Sequence, residues 1–173
     1  NITNFSHTRD SRETESLVFT CTNSGFQTRF KIAINNGLKR VTITSHPTWN
    51  IPASKRAQAL LYVTLLNYKL PVGSVDVDLS DGEVRFKTSA PFGDTSNIRP
   101  VLETFLGIHV DEGKPYLEGF AAIKDDNADA EDAMRVAGMS GSGGTSRGGG
   151  GDDAADLLLQ LLLLQNGGRG SAH

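Results

Sequence analysis

Every second position of Leu17-Val18-Phe19-Thr20-Cys21 is apolar, and the same period of two runs through residues 26–34 and through Val41-Thr42-Ile43-Thr44. Side chains alternate faces along a strand, so the pattern predicts three strands. Asn23-Ser24-Gly25 and Asn35-Asn36-Gly37 separate them with residues that tolerate positive φ, which predicts hairpin turns. Two-residue loops at Asn36-Gly37 and Ser24-Gly25 set Ile32 opposite Val41, Phe30 opposite Ile43, Phe19 opposite Phe30 and Leu17 opposite Ile32. One face of this meander is then apolar throughout.

The period changes after Asn50. Ala53, Ala57, Leu60, Leu61, Leu65 and Tyr68 recur at helical spacing, with Pro52 in the first turn and Pro71 and Gly73 beyond the end. Residues 74–79 and 83–89 flank Asp81-Gly82, a hairpin signal that pairs Val77 with Phe86 and Leu79 with Val84. On the other face it sets Asp78 against Arg85 and Asp76 against Lys87. Ile98, Val101, Leu102, Phe105 and Leu106 form a second helical stripe with Gly107 as its stop, and Tyr116, Leu117, Phe120 and Ile123 a short third helix after Pro115. The order βββ-α-ββ-α-α predicts an α+β fold in which a five-stranded antiparallel sheet carries its helices on one face.

Charge divides the chain. Residues 1–120 carry 13 Lys and Arg against 12 Asp and Glu, whereas residues 121–173 carry 4 against 8. The expected organisation is a polar N-terminal arm at 1–14, an α+β domain at 15–123, an acidic and glycine-rich linker at 124–151, a leucine-rich helical segment at 152–166 and a disordered end at 167–173. The net charge of -3 argues against nucleic acid as a partner, because phosphate binding needs clustered cations. No apolar run approaches the roughly 20 residues of a transmembrane helix. One cysteine, Cys21, permits no internal disulfide, so the sequons at Asn1 and Asn4 do not suffice for a secreted reading. An intracellular soluble protein is expected, organellar if a targeting segment has been removed ahead of Asn1.

The sequence presents no catalytic, cofactor-binding or metal-binding constellation. His7, His46, His109 and His173 lack metal-ligand spacing. Residues 76–82 fail as a calcium loop, because Gly falls at the seventh position and Lys87 stands where a bidentate Glu is required; a solvent-facing hairpin explains these carboxylates better. Cys21, on the inward face of its strand, reads as a buried thiol. Trp49, in a proline-bracketed loop, is either a plug for one end of the core or an anchor for a partner.

In Asp152-Asp153-Ala154-Ala155-Asp156 followed by Leu157 to Gln165, the acidic start suits a helix N-terminus. The resulting helix of about 14 residues, near 21 Å, is too short for a bilayer. Leucines on nearly every side call for docking in a partner's groove, on the chain's own domain or on the same segment of a second copy, with low-complexity disorder as the remaining alternative. The candidate protein-binding residues are therefore Trp49, Leu157, Leu158, Leu161, Leu162 and Leu164.

From Val41 through Phe86 the residues also resemble the YbjN family, whose fold is similar to the type III secretion chaperones. Pro47 and Pro52 precede the helix, Lys55-Arg56 lie in its first turns and Leu65-Leu66-Asn67 near its end. Gly73 opens the next strand, and Asp78 with Asp81-Gly82-Glu83-Val84 marks the hairpin. The resemblance implies a non-enzymatic module that binds a protein partner, often as a homodimer, in an adaptor, assembly or chaperone role. The alternative is a stoichiometric subunit of a larger assembly, docked through the leucine-rich helix.

Overall fold

The computed structural model describes residues 2–23, 25–94 and 98–139. The expected disordered end and the leucine-rich segment, with candidate residues Leu157, Leu158, Leu161, Leu162 and Leu164, lie outside them. Six strands, β1 (Ile2–Arg9), β2 (Thr14–Asn23), β3 (Phe26–Asn35), β4 (Arg40–Pro47), β5 (Ser74–Val77) and β6 (Val84–Pro91), form one antiparallel sheet in the order β1-β2-β3-β4-β6-β5. A 3₁₀ turn at Ala53–Lys55 leads into α1 (Arg56–Lys69), and α2 (Ile98–Asp111), α3 (Gly113–Asp126) and α4 (Ala130–Val136) complete the elements of the described residues. The fold class is α+β, as expected, but the sheet of the described residues has six strands instead of five.

The sixth strand is β1, where a polar arm is expected. It is an edge strand whose residues are mostly exposed, so it needs no apolar alternation to pair with β2. A register shift between Thr3 and Ser6, with Asn4 at φ +55°, bends it against its neighbour. Polar contacts hold its far end: Arg9 pairs with Glu15 at 2.8 Å, and Asp10 accepts from Ser16 at 2.6 Å and from Lys31 at 3.0 Å. These hydrogen bonds, that of Ser16 foremost, lower the Asp10 pKa to about 2.

The β2–β3 register agrees with expectation: Leu17 faces Ile32 and Phe19 faces Phe30, the two rings stacked at 5.0 Å. The other two hairpins are each offset by two residues. Ile34 opposes Val41 and Ile32 opposes Ile43, so the turn spans residues 36–39; Asn35 Oδ1 accepts from Leu38 N, and Lys39 takes the positive φ. Likewise Val77 opposes Val84 and Val75 opposes Phe86, which leaves Leu79 exposed in a longer loop. An offset of two keeps every side chain on its face, so the apolar face survives the error.

Gly82 shows why that loop must be longer. Its φ is +85°, and its carbonyl accepts from Ile51 N at 2.8 Å, close enough that a Cβ would lie 2.0 Å from Ile51 O. The same corner is tied by Arg56, whose guanidinium donates to the carbonyls of Ile51, Leu79 and Ser80. Asp78 and Asp81 turn their carboxylates onto Ser80 and Glu83 backbone N–H groups.

Two apolar clusters fill the space between sheet and helices. Under α2 lie Phe19, Phe30, Ile32, Val41, Ile43, Leu106 and Val110; under α1, α3 and α4 lie Ile51, Tyr62, Leu66, Val75, Phe86, Phe120, Ile123 and Ala133. Helix α2 runs through Gly107 to Asp111, because Val110 and His109 continue its buried stripe. Helix α4 falls in the stretch expected as linker. Asp129 caps it by accepting from Asp132 N, and Ala130, Ala133 and Met134 bury a small apolar face beneath its acidic residues.

Candidate functional site

Helix α1 is apolar on two sides. Ala59, Tyr62, Val63 and Leu66 face the core, and Asn67 continues that tie by exchanging two 2.8 Å hydrogen bonds with the backbone of Val75. At 100° per residue these positions centre roughly opposite Leu61, Leu65 and Tyr68. Leu60, Leu61 and Leu65 are 43, 55 and 40% exposed and Tyr68 91%. The stripe expected to enter the core, Ala53, Ala57, Leu60, Leu61, Leu65 and Tyr68, is therefore the outward one. The physical reason is that a helix apolar on two sides has no strong amphipathic direction, so spacing alone does not choose the inner side.

Outside this stripe, Val72 is exposed beyond the C-terminal end of α1, and Leu79 in the loop that Arg56 fastens to its N-terminal end. Helix α1 contains no acidic residue; Arg56 is its first residue and Lys69 its last. The outward face of the sheet differs in kind, with Arg29, Lys31, Thr42, Thr44, Arg85, Lys87 and Ser89 on it. Its charges are largely paired: Lys31 with Asp10, Arg85 with Glu83, Lys87 with Asp76 at 3.9 Å.

Trp49 is half-buried and packs against the cluster beneath α1, with Lys124 Nζ 5.4 Å from its ring centroid. Much of the ring is thus used internally, capped by a cation–π contact. Cys21 is buried.

A second constellation lies inside the protein. His109 is 3% exposed; its Nδ1 lies 2.6 Å from Ser45 Oγ and its Nε2 3.0 Å from Thr88 Oγ1. The Phe86 ring lies 4.3 Å from it, tilted by 35°, and burial lowers the His109 pKa to about 3, so the ring is neutral, donating from one nitrogen and accepting at the other. The network joins β4, β6 and α2. A histidine whose proton affinity burial lowers this far, with no carboxylate to stabilise the imidazolium, is a poor general base. Beside it a cleft of about 40 Å³, reaching His46, Lys114 and Tyr116, has room for a few waters. Among the described residues no group of three or more His, Cys, Asp or Glu could hold a metal ion. Sequence reasoning missed this tie, although Ser45 and Thr88 interrupt the apolar inward positions of their strands and His109 falls three residues after Leu106 on the buried stripe of α2.

No family model, no curated protein and no solved structure matches the chain. Among the described residues no helix is long and apolar enough to cross a membrane.

Proposed function

We propose that this protein is a non-enzymatic protein-binding module of the YbjN or secretion-chaperone-like kind, acting as an adaptor, assembly factor or chaperone. The observation that carries this reading is the outer face of α1. Leu60, Leu61, Leu65 and Tyr68 are held outward by a helix whose other side is locked into the core. Exposed apolar residues clustered on one rigid helix are a surface suited to an apolar partner. The buried Ser45–His109–Thr88 network serves stability in this account, and the expected location is intracellular.

The leucine-rich segment supports a second reading, a stoichiometric subunit of a larger assembly. Light-scattering chromatography of the chain with and without residues 138–173 separates the two. The adaptor reading expects a discrete soluble mass, monomer or dimer, for the full chain. Aggregates that resolve into a clean monomer on truncation overturn it in favour of the subunit reading.

A further inference from the structure

Resting on the reading of α1 as a docking surface, we propose that its outer face is covered in cis by residues 152–166 of the same chain, a built-in competitor for the external partner. The described chain ends where such a contact can start. Met139 packs against the cluster under α1, and its carbonyl accepts a hydrogen bond from Lys69 Nζ at the last residue of that helix. The chain therefore leaves the domain at the α1 end that carries Tyr68 and Val72.

The tether has the right length. Residues 140–151, glycine-rich over 141–151, separate Met139 from the docked segment. Twelve residues of such composition have an r.m.s. span of about 19 Å, close to the ~21 Å length of α1. A tether matched to its span holds the two surfaces at an effective concentration in the millimolar range. The chemistry also matches: seven leucines at 157–159 and 161–164 meet an apolar face, and Asp152, Asp153 and Asp156 approach a helix that carries no acidic residue. A second copy has the same two surfaces to offer but lacks the tether, so at micromolar concentration the intramolecular contact prevails.

Disulfide trapping in the full chain tests this. Leu65→Cys is combined with Leu161→Cys, and Thr44→Cys with Leu161→Cys serves as control on the polar sheet face; buried Cys21 is retained. Oxidised glutathione is the oxidant, and linked peptides are identified by mass spectrometry. At about 1 µM protein the 65–161 bridge should form within monomers, independently of concentration and at least tenfold faster than the 44–161 bridge. Equal rates for both pairs, or 65–161 bridges only between two chains, overturn the proposal. Hydrogen exchange of the native sequence guards against a misfolded variant: residues 157–164 should be protected, and should lose at least tenfold of that protection in Leu61→Asp/Leu65→Asp while β3 and β4 keep theirs. Absence of protection in the native sequence overturns the proposal as well. If trapping fails while α1 still crosslinks to other proteins, the cis occupant is wrong and the docking surface stands; if α1 contacts nothing, both fall.

Discussion

Protonating His109 should unfold the protein from within. The ring loses its hydration on burial and is held neutral between Ser45 and Thr88, its pKa lowered from 6.5 to about 3. The folded state thus binds this proton only near pH 3, whereas the unfolded chain binds it near pH 6.5. Stability from this group is present in full above pH 6.5 and is lost as the pH falls from there toward 3. Each unit of separation is worth about 1.4 kcal/mol, so the whole span amounts to about 5 kcal/mol, of which about 2 kcal/mol is lost between pH 7.5 and 5.0. That upper window lies above the carboxylate range. Asp10, Glu15, Asp78 and Glu83 also have lowered pKa values, but their stability is lost only as pH falls through the ordinary carboxylate range and below. Urea unfolding followed by far-UV circular dichroism at pH 7.5 and 5.0, on wild type and His109→Gln, reads the difference. Wild type should lose about 2 kcal/mol and the variant much less. Equal stability of wild type at both pH values, or an undiminished loss in His109→Gln, would refute the reasoning.

Other substitutions probe the packing. A Cβ at Gly119 of α3 would lie 2.2 Å from Tyr62 Oη and 2.9 Å from Ala133 O, so Gly119→Ala should cost about 1–3 kcal/mol by overpacking, read as a lower urea midpoint. Leu66→Ala should cost about 2–5 kcal/mol because Leu66 is fully buried, and Leu61→Ala in the chain ending at Met139 within about 0.5 kcal/mol because its side is open. Reversal of that order would place the core on the other side of α1. Removing residues 1–9 bares the edge of β2, and light scattering should then show faster aggregation than for the intact chain.

The strands were legible because period two survives local error. Phe19, Phe30, Ile32, Val41, Ile43 and Phe86 all reach the face assigned to them, although two hairpin turns are longer than Asn36-Gly37 and Asp81-Gly82 suggest. Turn signals locate a reversal; the backbone contact of Ile51 with Gly82, remote in sequence, sets how many residues it takes. Polar β1 escaped notice because an edge strand needs no apolar alternation, and α4 because its three small or flexible apolar contacts sit among acids that read as linker. The inner side of α1 was misassigned because Ala59, Tyr62, Val63 and Leu66 repeat as regularly as Leu61, Leu65 and Tyr68. The packing of β5, α3 and α4 on one side distinguishes them, and the stripe on the other side is the candidate site.

Site-specific photocrosslinking tests the central claim most directly. A benzophenone side chain at position 65 of α1, or at position 44 on the sheet, is introduced into the full chain and into the chain ending at Met139, and irradiated in the cells that express them. The account predicts discrete heavier adducts from position 65, stronger when the tail is removed, and none from position 44. Absence of adducts from position 65 in both chains, or equal adducts from both positions, would contradict it.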